Sequence, residues 1–173
     1  MPATSVVHPA IVPAVPGVAV RAARTGLGIF ATRAFAEEST IGRIPGRVYH
    51  WQVLWRRGGE FMANCFRFGD ETYLDPGNGL GRYLNHSCRP NAAIRKRNNK
   101  LFLFAARDIR PSDEIVIDYS TITGDDDMWR MRCHCGSPQC RTWIGRFGLL
   151  PPAIKRRYRR DGLLPDFMLG ALE

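Results

Sequence analysis

Along this chain, apolar and polar positions alternate in short runs punctuated by turn residues, which predicts many short strands rather than long helices. Between Val20 and Val48, apolar runs such as Gly28–Ala31 and Thr40–Ile44 are separated by turn residues, as in a meander of short strands. Further strands are expected at Cys65–Phe68, Lys100–Ala105 and Ile115–Tyr119. Arg95-Lys96-Arg97-Asn98-Asn99-Lys100 reads as a polar, solvated hairpin tip. Trp51, Leu54 and Trp55 stand at helical spacing and predict a short helix that packs its apolar face on a sheet, rather than a binding role.

The ends of the chain differ in character. Residues 1–19 are rich in Pro, Ala and Val without periodicity and are expected to form a flexible arm, with an extended strand packed on the domain as the alternative. Thr123-Gly124-Asp125-Asp126-Asp127 reads as a linker. Its aspartates invite a divalent ion but lack the alternating ligands and terminal Glu of a calcium loop. After Pro151-Pro152, Ala153–Arg160 predicts a basic helix that starts at a proline, and Asp166–Leu172 one more apolar turn or short helix. No internal repeat is apparent.

Composition narrows the class. A chain of 173 residues suffices for one domain with a proper core. Hydrophobic residues at 45% and aromatics at 10% argue against disorder. The formal charge of +9 predicts attraction to polyanions or acidic surfaces, which suits nucleic acid, yet the basic residues show no aromatic-interleaved stacking pattern. Pro9, Pro13 and Pro16 interrupt the N-terminus, which also lacks a basic start and an unbroken apolar run. Neither a signal peptide nor a membrane span is expected, and the default location is intracellular.

Three of the five cysteines, Cys133, Cys135 and Cys140, crowd into eight positions. That spacing suits metal thiolates better than a disulfide scaffold or a redox cluster. A structural zinc takes four ligands, and the fourth is open among Cys88, Cys65, His134 and His86. His134 lies awkwardly between two ligands, and Cys65 belongs to an expected strand.

Four motifs in order carry more. They are Gly26-Leu27-Gly28-Ile29-Phe30-Ala31, Arg82-Tyr83-Leu84-Asn85-His86-Ser87-Cys88, Glu114-Ile115-Val116-Ile117-Asp118-Tyr119 and Cys133-His134-Cys135 followed by Cys140. Together they resemble the G-x-G-[VIL]-F-A, R-F-x-N-H-S-C, E-L-x-x-D-Y and C-x-C-x4-C motifs of SET-domain protein lysine methyltransferases. The resemblance runs from about Arg21 to about Gly145 and implies a mainly β fold, a β-clip of several short sheets. A knot-like C-terminal segment, a few short helices and a zinc-binding post-SET loop complete it. It divides the chain into the arm, a SET domain at 20–122, a linker with post-SET zinc motif at 123–145 and a basic helical tail at 146–173.

By that resemblance, S-adenosylmethionine (AdoMet) is bound by Gly26, Leu27, Gly28, Arg82, Asn85 and His86. Asn85 takes the methionine end, and His86 the adenine through its backbone. Arg82 is mainly structural, with Glu114 its expected partner. Tyr119 is the catalytic residue: methyl transfer from a sulfonium to an amine is an in-line displacement that needs alignment more than a strong base. Cys88 completes the zinc set with Cys133, Cys135 and Cys140, and Trp143 walls the substrate-lysine channel. The substrate is a protein lysine, in a histone or in a nucleoid-associated or ribosomal protein, with no membrane partner.

Two departures bear on that channel. Ile44 stands where many members have a tyrosine, and Ile117 stands where relatives carry Phe or Tyr, so an apolar channel and product beyond monomethyl-lysine are expected. No cysteine-rich segment precedes the domain in this sequence. Two other readings compete: a catalytically silent SET-like zinc module that binds basic tails or nucleic acid, and a zinc hydrolase. Retention of Tyr119, Asn85 and His86 favours the enzyme over the silent module. A closed all-thiolate zinc lacks the open position a hydrolase needs.

Overall fold

Strands β1 (Val18–Ala23) and β2 (Gly26–Ala31) form an antiparallel hairpin whose turn ends at Gly26, where φ is 81° and a Cβ would be strained. The computed structural model describes residues 15–124, 126–165 and 168. The remaining strands are β3 (Thr40–Ile44), β4 (Arg47–His50), β5 (Phe66–Gly69), β6 (Thr72–Asp75), β7 (Asn85–His86), β8 (Ala92–Arg97), β9 (Lys100–Ala105), β10 (Glu114–Ile117), β11 (Met131–Arg132) and β12 (Trp143–Ile144). Among the described residues they assemble into four small sheets in the orders β1-β2-β10-β7, β3-β9-β8, β4-β6-β5 and β11-β12. Among the described residues the α-helices with defined bounds are short: α1 (Trp51–Arg57), α2 (Gly59–Met62) and α3 (Pro152–Arg160). A mainly β architecture of short sheets is therefore what the alternating pattern encodes.

Alternation explains the core. In β10, Ile115 and Ile117 point inward and are fully buried, while Glu114 and Val116 are half-buried on the other side. They meet Ile29, Ile44, Leu101 and Leu103 in the largest apolar cluster. Asn98 and Asn99 close the β8–β9 hairpin at φ 47° and 56°, a left-handed pair that asparagine tolerates, so the expected hairpin tip is there. Arg95, Lys96 and Arg97, however, belong to β8 itself. A second cluster gathers Phe147, Leu150, Tyr158, Leu163 and Leu164 beneath α3, whose first residue is the expected proline.

Some expectations need correction. Only Leu54 of the α1 trio packs inward; Trp51 is 42% and Trp55 71% exposed. A two-turn helix at the rim of the molecule inserts one side chain and leaves its flanking aromatics on a cleft wall. The strand expected to reach Tyr119 ends at Ile117, because the Asp118 carboxylate accepts the Ser120 N–H at 3.0 Å and opens a 3-10 turn over Tyr119–Thr121. Cys65 precedes β5 rather than beginning it. The first fourteen residues of the expected arm lie outside the described residues, as do Asp125 and, except for Met168, nearly all of the expected Asp166–Leu172 turn.

Candidate active site

The turn at Asp118 swings the Tyr119 ring away from the sheet and onto a cavity of about 540 Å³. The Tyr119 hydroxyl donates to the Leu84 carbonyl at 2.6 Å, and its ring centroid lies 5.4 Å from that of His86 and 6.1 Å from that of Trp129. Burial, helped by the Glu114 charge, pushes the phenol up to about 12. The group therefore stays protonated at neutral pH and cannot act as a ready base. With its proton committed to Leu84, it offers lone pairs that accept a hydrogen bond from an amine. That is the chemistry of alignment.

The cavity is aromatic and acidic. Trp51 and Trp55 of α1 and Tyr73 of β6 face it, with Trp129 beside Tyr119. Among the described residues, Asp70, Glu71, Asp126 and Asp127 contribute four carboxylates to the wall, against the single cation Arg82. Arg67, behind the wall, fixes this acidic edge. Its Nη1 donates to Asp126 Oδ1 and to the Tyr73 hydroxyl, both at 2.7 Å, and Nε donates to the Gly69 carbonyl at 2.7 Å. Tyr73 in turn donates to Asp127, whose other oxygen accepts the Gly124 N–H at 2.6 Å. Asp126 and Asp127 are thus structural partners that close the linker against β5 and β6.

Behind Tyr119, β7 runs parallel to β10 and pairs Asn85 with Val116 and His86 with Ile117. The Asn85 amide nitrogen donates to Glu114 Oε1 at 2.7 Å and to the Leu27 carbonyl at 3.1 Å. Both partners are obligate acceptors, so the amide orientation is settled and only its carbonyl oxygen remains for a ligand. Gly28 completes this corner: a Cβ there would come within 2.5 Å of Glu114 Oε1 and 2.8 Å of Asn85 Nδ2. Glu114 is therefore the partner of Asn85 and not of Arg82. Among the described residues Arg82 makes no ion pair; it is exposed and lines the acidic cavity.

The cysteines converge from two parts of the chain. His86, Cys88, Cys133 and Cys135 hold their donor atoms within 4.8 Å of one another, a group whose chemistry suits a soft metal. Cys88 Sγ lies 3.8 Å from Cys133 Sγ, and Cys140 packs against the same cluster. Burial raises Cys88 and Cys133 above the ordinary thiol range. Burial works the same way on Cys135, but backbone N–H groups of Cys88 and Ser137 outweigh it and bring that thiol below the range.

His86 Nδ1 accepts the Tyr119 N–H at 3.1 Å, which leaves its proton on Nε2, 3.3 Å from Cys88 Sγ. In that tautomer His86 is a donor to a thiolate rather than a ligand. Burial lowers its pKa to about 4, so the ring is neutral. Cys65 stands apart; it lines the cavity and donates to the Phe61 carbonyl at 3.4 Å.

Three expected channel residues are elsewhere. Ile117 and Ile44 are 0% and 1% exposed in the main core and do not line the cavity, because their strands turn those positions inward. The expectation of a channel made apolar by these two residues loses its basis. Trp143, 45% exposed, lines a different cleft, and Trp129 is the tryptophan beside Tyr119. Sequence reasoning also missed Asp118, Arg141 and Tyr158. The Asp118 carboxylate is fully buried, accepting from Arg141 and from the Tyr158 hydroxyl at 2.6 Å. Its position inside a motif was the one available signal.

The family model for the SET domain matches residues 26–120. The chain is similar to histone-lysine N-methyltransferase trr of Drosophila melanogaster, 30% identical over 130 residues, which cover 69% of this chain and 5% of that protein. It is similar also to the H3 lysine-4 specific histone-lysine N-methyltransferase of Saccharomyces cerevisiae, 27% identical over 136 residues, 72% of this chain and 13% of that one. Among solved structures, the methyltransferase domain of human histone-lysine N-methyltransferase SETMAR matches with a TM-score of 0.59 and 27% identity, over 72% of this chain and 55% of that one. The chain thus spans a small part of the length of these full-length relatives.

Proposed function

Because the chain belongs to the SET-domain family, we propose that it is a protein lysine N-methyltransferase that uses AdoMet and acts inside the cell on a basic, flexible segment of a histone or histone-like protein. The observation that carries this reading is the Tyr119 hydroxyl, protonated and held by Leu84 at the base of an acidic, aromatic-walled cavity. A lysine entering between Trp129 and the Asp126–Asp127 edge meets carboxylates at the mouth and a hydrogen-bond acceptor at the end. Tyr119 then directs the amine nitrogen along one line, which is what an in-line displacement requires.

AdoMet supplies the sulfonium-bound methyl group. The residues available to hold it fit its chemistry. The Asn85 carbonyl oxygen, its amide protons already committed, accepts from the ammonium of a methionine moiety. The Gly26-Leu27-Gly28 backbone lets a ligand approach without meeting a Cβ at either glycine. Zinc fits Cys88, Cys133, Cys135 and Cys140, with the His86 Nε2–H donating to the Cys88 thiolate as an outer partner. A dication held there would stabilise the thiolate form and so offset the burial that otherwise keeps Cys88 and Cys133 protonated.

Titration calorimetry with AdoMet, followed by mass spectrometry of Lys-rich peptides incubated with enzyme and cofactor, tests the reading. Binding with mass gained on lysine is the expected result. Absence of AdoMet binding by zinc-loaded protein would overturn it.

A further inference from the structure

Trp129 lines the cavity over Tyr119, and the next residue, Arg130, lines a second cavity of about 420 Å³. The two share no lining residue. Arg130, Arg141, Arg146, Trp143 and Leu149 shape the second cleft, and among the described residues no carboxylate lines it. Trp143 and Leu149 are 45% and 70% exposed there.

The net charge of the chain is concentrated in the segment that builds this cleft and the helix that follows it. Residues 128–160 contain nine Lys and Arg and no Asp or Glu, whereas the other 140 residues balance sixteen basic against sixteen acidic groups. The net +9 thus corresponds to this one segment. β11 and β12 pair Arg132 with Trp143, and the Arg130 and Arg132 guanidinium carbons lie 4.3 and 5.2 Å from the indole centroid. Cationic and aromatic groups that are separate in sequence are therefore interleaved in space. The patch continues onto α3, which leaves the rim at Pro151. It buries Tyr158, packs Ile154 against the core and exposes Arg156, Arg159 and Arg160.

We propose that this surface binds single-stranded nucleic acid. Bases stack on Trp143 and its flanking guanidinium planes, and phosphates track along Arg130, Arg132, Arg156 and Arg159. Stacking needs an unpaired base, which selects a single strand over a duplex; an anionic membrane would engage the cations and bury the indole without stacking on it, and is the alternative that the vesicle arm of the test excludes. A bound strand runs one residue away from the substrate cavity, so the surface would bring to Tyr119 a lysine of a protein already held on nucleic acid. This site stands independently of the methyl-transfer reading.

Fluorescence anisotropy with a labelled oligothymidine of about 20 nucleotides, read across a salt series on the zinc-loaded chain, is the test. The expected result is tighter binding of the single strand than of the matching duplex, with log affinity falling linearly in log salt. Arg156→Gln with Arg159→Gln, on the exposed helix face, should weaken binding and lower the single-strand salt slope by about 1.4, roughly 0.7 for each lost phosphate contact. Trp143→Ala should weaken single-strand binding about tenfold, and Trp143→Phe should restore most of it. An unchanged slope in the paired arginine variant would overturn the proposal. So would capture by phosphatidylserine vesicles without capture of the oligonucleotide.

Discussion

Arg141 grips Asp118 with both ends of its guanidinium, Nη1 to Oδ2 at 2.6 Å and Nη2 to Oδ1 at 2.8 Å, and the carboxylate is fully buried. Asp118 precedes Tyr119, and Arg141 follows Cys140. The pair therefore ties the cysteine loop to the residue that faces the cavity. Tyr158 donates to the same carboxylate at 2.6 Å, so α3 is fastened to the same point.

Arg141→Ala would leave that carboxylate buried with its charge partner gone. Removing one side of a buried pair costs about 3–5 kcal/mol, and we expect a loss of that order in chemical denaturation. Arg141→Lys keeps the charge but not the two-pronged geometry and should fall between wild type and Arg141→Ala. A loss below about 1 kcal/mol in Arg141→Ala would show the pair to be solvated in practice.

The same pair sets an acid limit. Burial opposes the Asp118 charge, but the hydrogen bonds from Arg141 and Tyr158 and the guanidinium charge prevail and hold its pKa below the usual carboxylate range. A carboxyl depressed in the folded state contributes stability that is fully present above its unfolded pKa of about 3.9 and is lost as pH falls through the folded value. Thermal melts below about pH 4 should steepen in wild type, and Asp118→Asn should remove that part of the slope while lowering stability at neutral pH.

Tyr119→Phe removes the hydroxyl that aligns the amine. Turnover should fall about 10²-fold or more while AdoMet affinity stays within a few-fold. Because burial pushes this phenol up to about 12, the wild-type rate should rise with pH as the lysine deprotonates, with no tyrosinate inflection below about pH 10. Asn85→Ala, by contrast, should weaken AdoMet binding directly, as read by calorimetry.

Metal analysis should find one zinc per chain. Cys88→Ser and Cys140→Ser should each lower zinc content and methyl transfer together, and chelation should destabilise the cysteine loop. Cys65→Ser should leave metal content unchanged, since its thiol donates to Phe61 outside the cluster. Full zinc in Cys140→Ser with loss in His86→Ala would make His86 the fourth ligand.

Four carboxylates at the cavity mouth predict a substrate preference. Rates on Lys- and Arg-rich peptides should fall as ionic strength rises. Asp70→Asn with Glu71→Gln, both exposed, should raise KM for such peptides up to about fivefold with little change in kcat, the size expected of solvent-screened pairs. Rates that rise with salt would contradict an acidic groove.

The sequence by itself carried everything that depends on local period and spacing. The alternation at Lys100–Ala105, the asparagine pair that turns β8 into β9, the proline that starts α3 and the close-set cysteines are each legible within about ten residues. The resemblance of four ordered motifs added Gly28 and Asn85, which the fold packs around Glu114, and Tyr119, whose hydroxyl reaches the carbonyl of Leu84, the residue before Asn85.

Only the tertiary structure decided how these pieces meet. It paired Glu114 with Asn85 instead of Arg82, set Trp129 rather than Trp143 beside Tyr119, and turned Ile44 and Ile117 into the core. It also made Arg67 and Asp126 partners across 59 positions, and brought Arg130 and Arg132 from an earlier segment onto the indole of Trp143. Local pattern tells a strand which face is apolar, because side chains alternate at every second residue. It does not say which distant surface that face will meet. That is settled when the sheets pack, and a partner's identity then follows from the shape and charge that packing leaves unmatched.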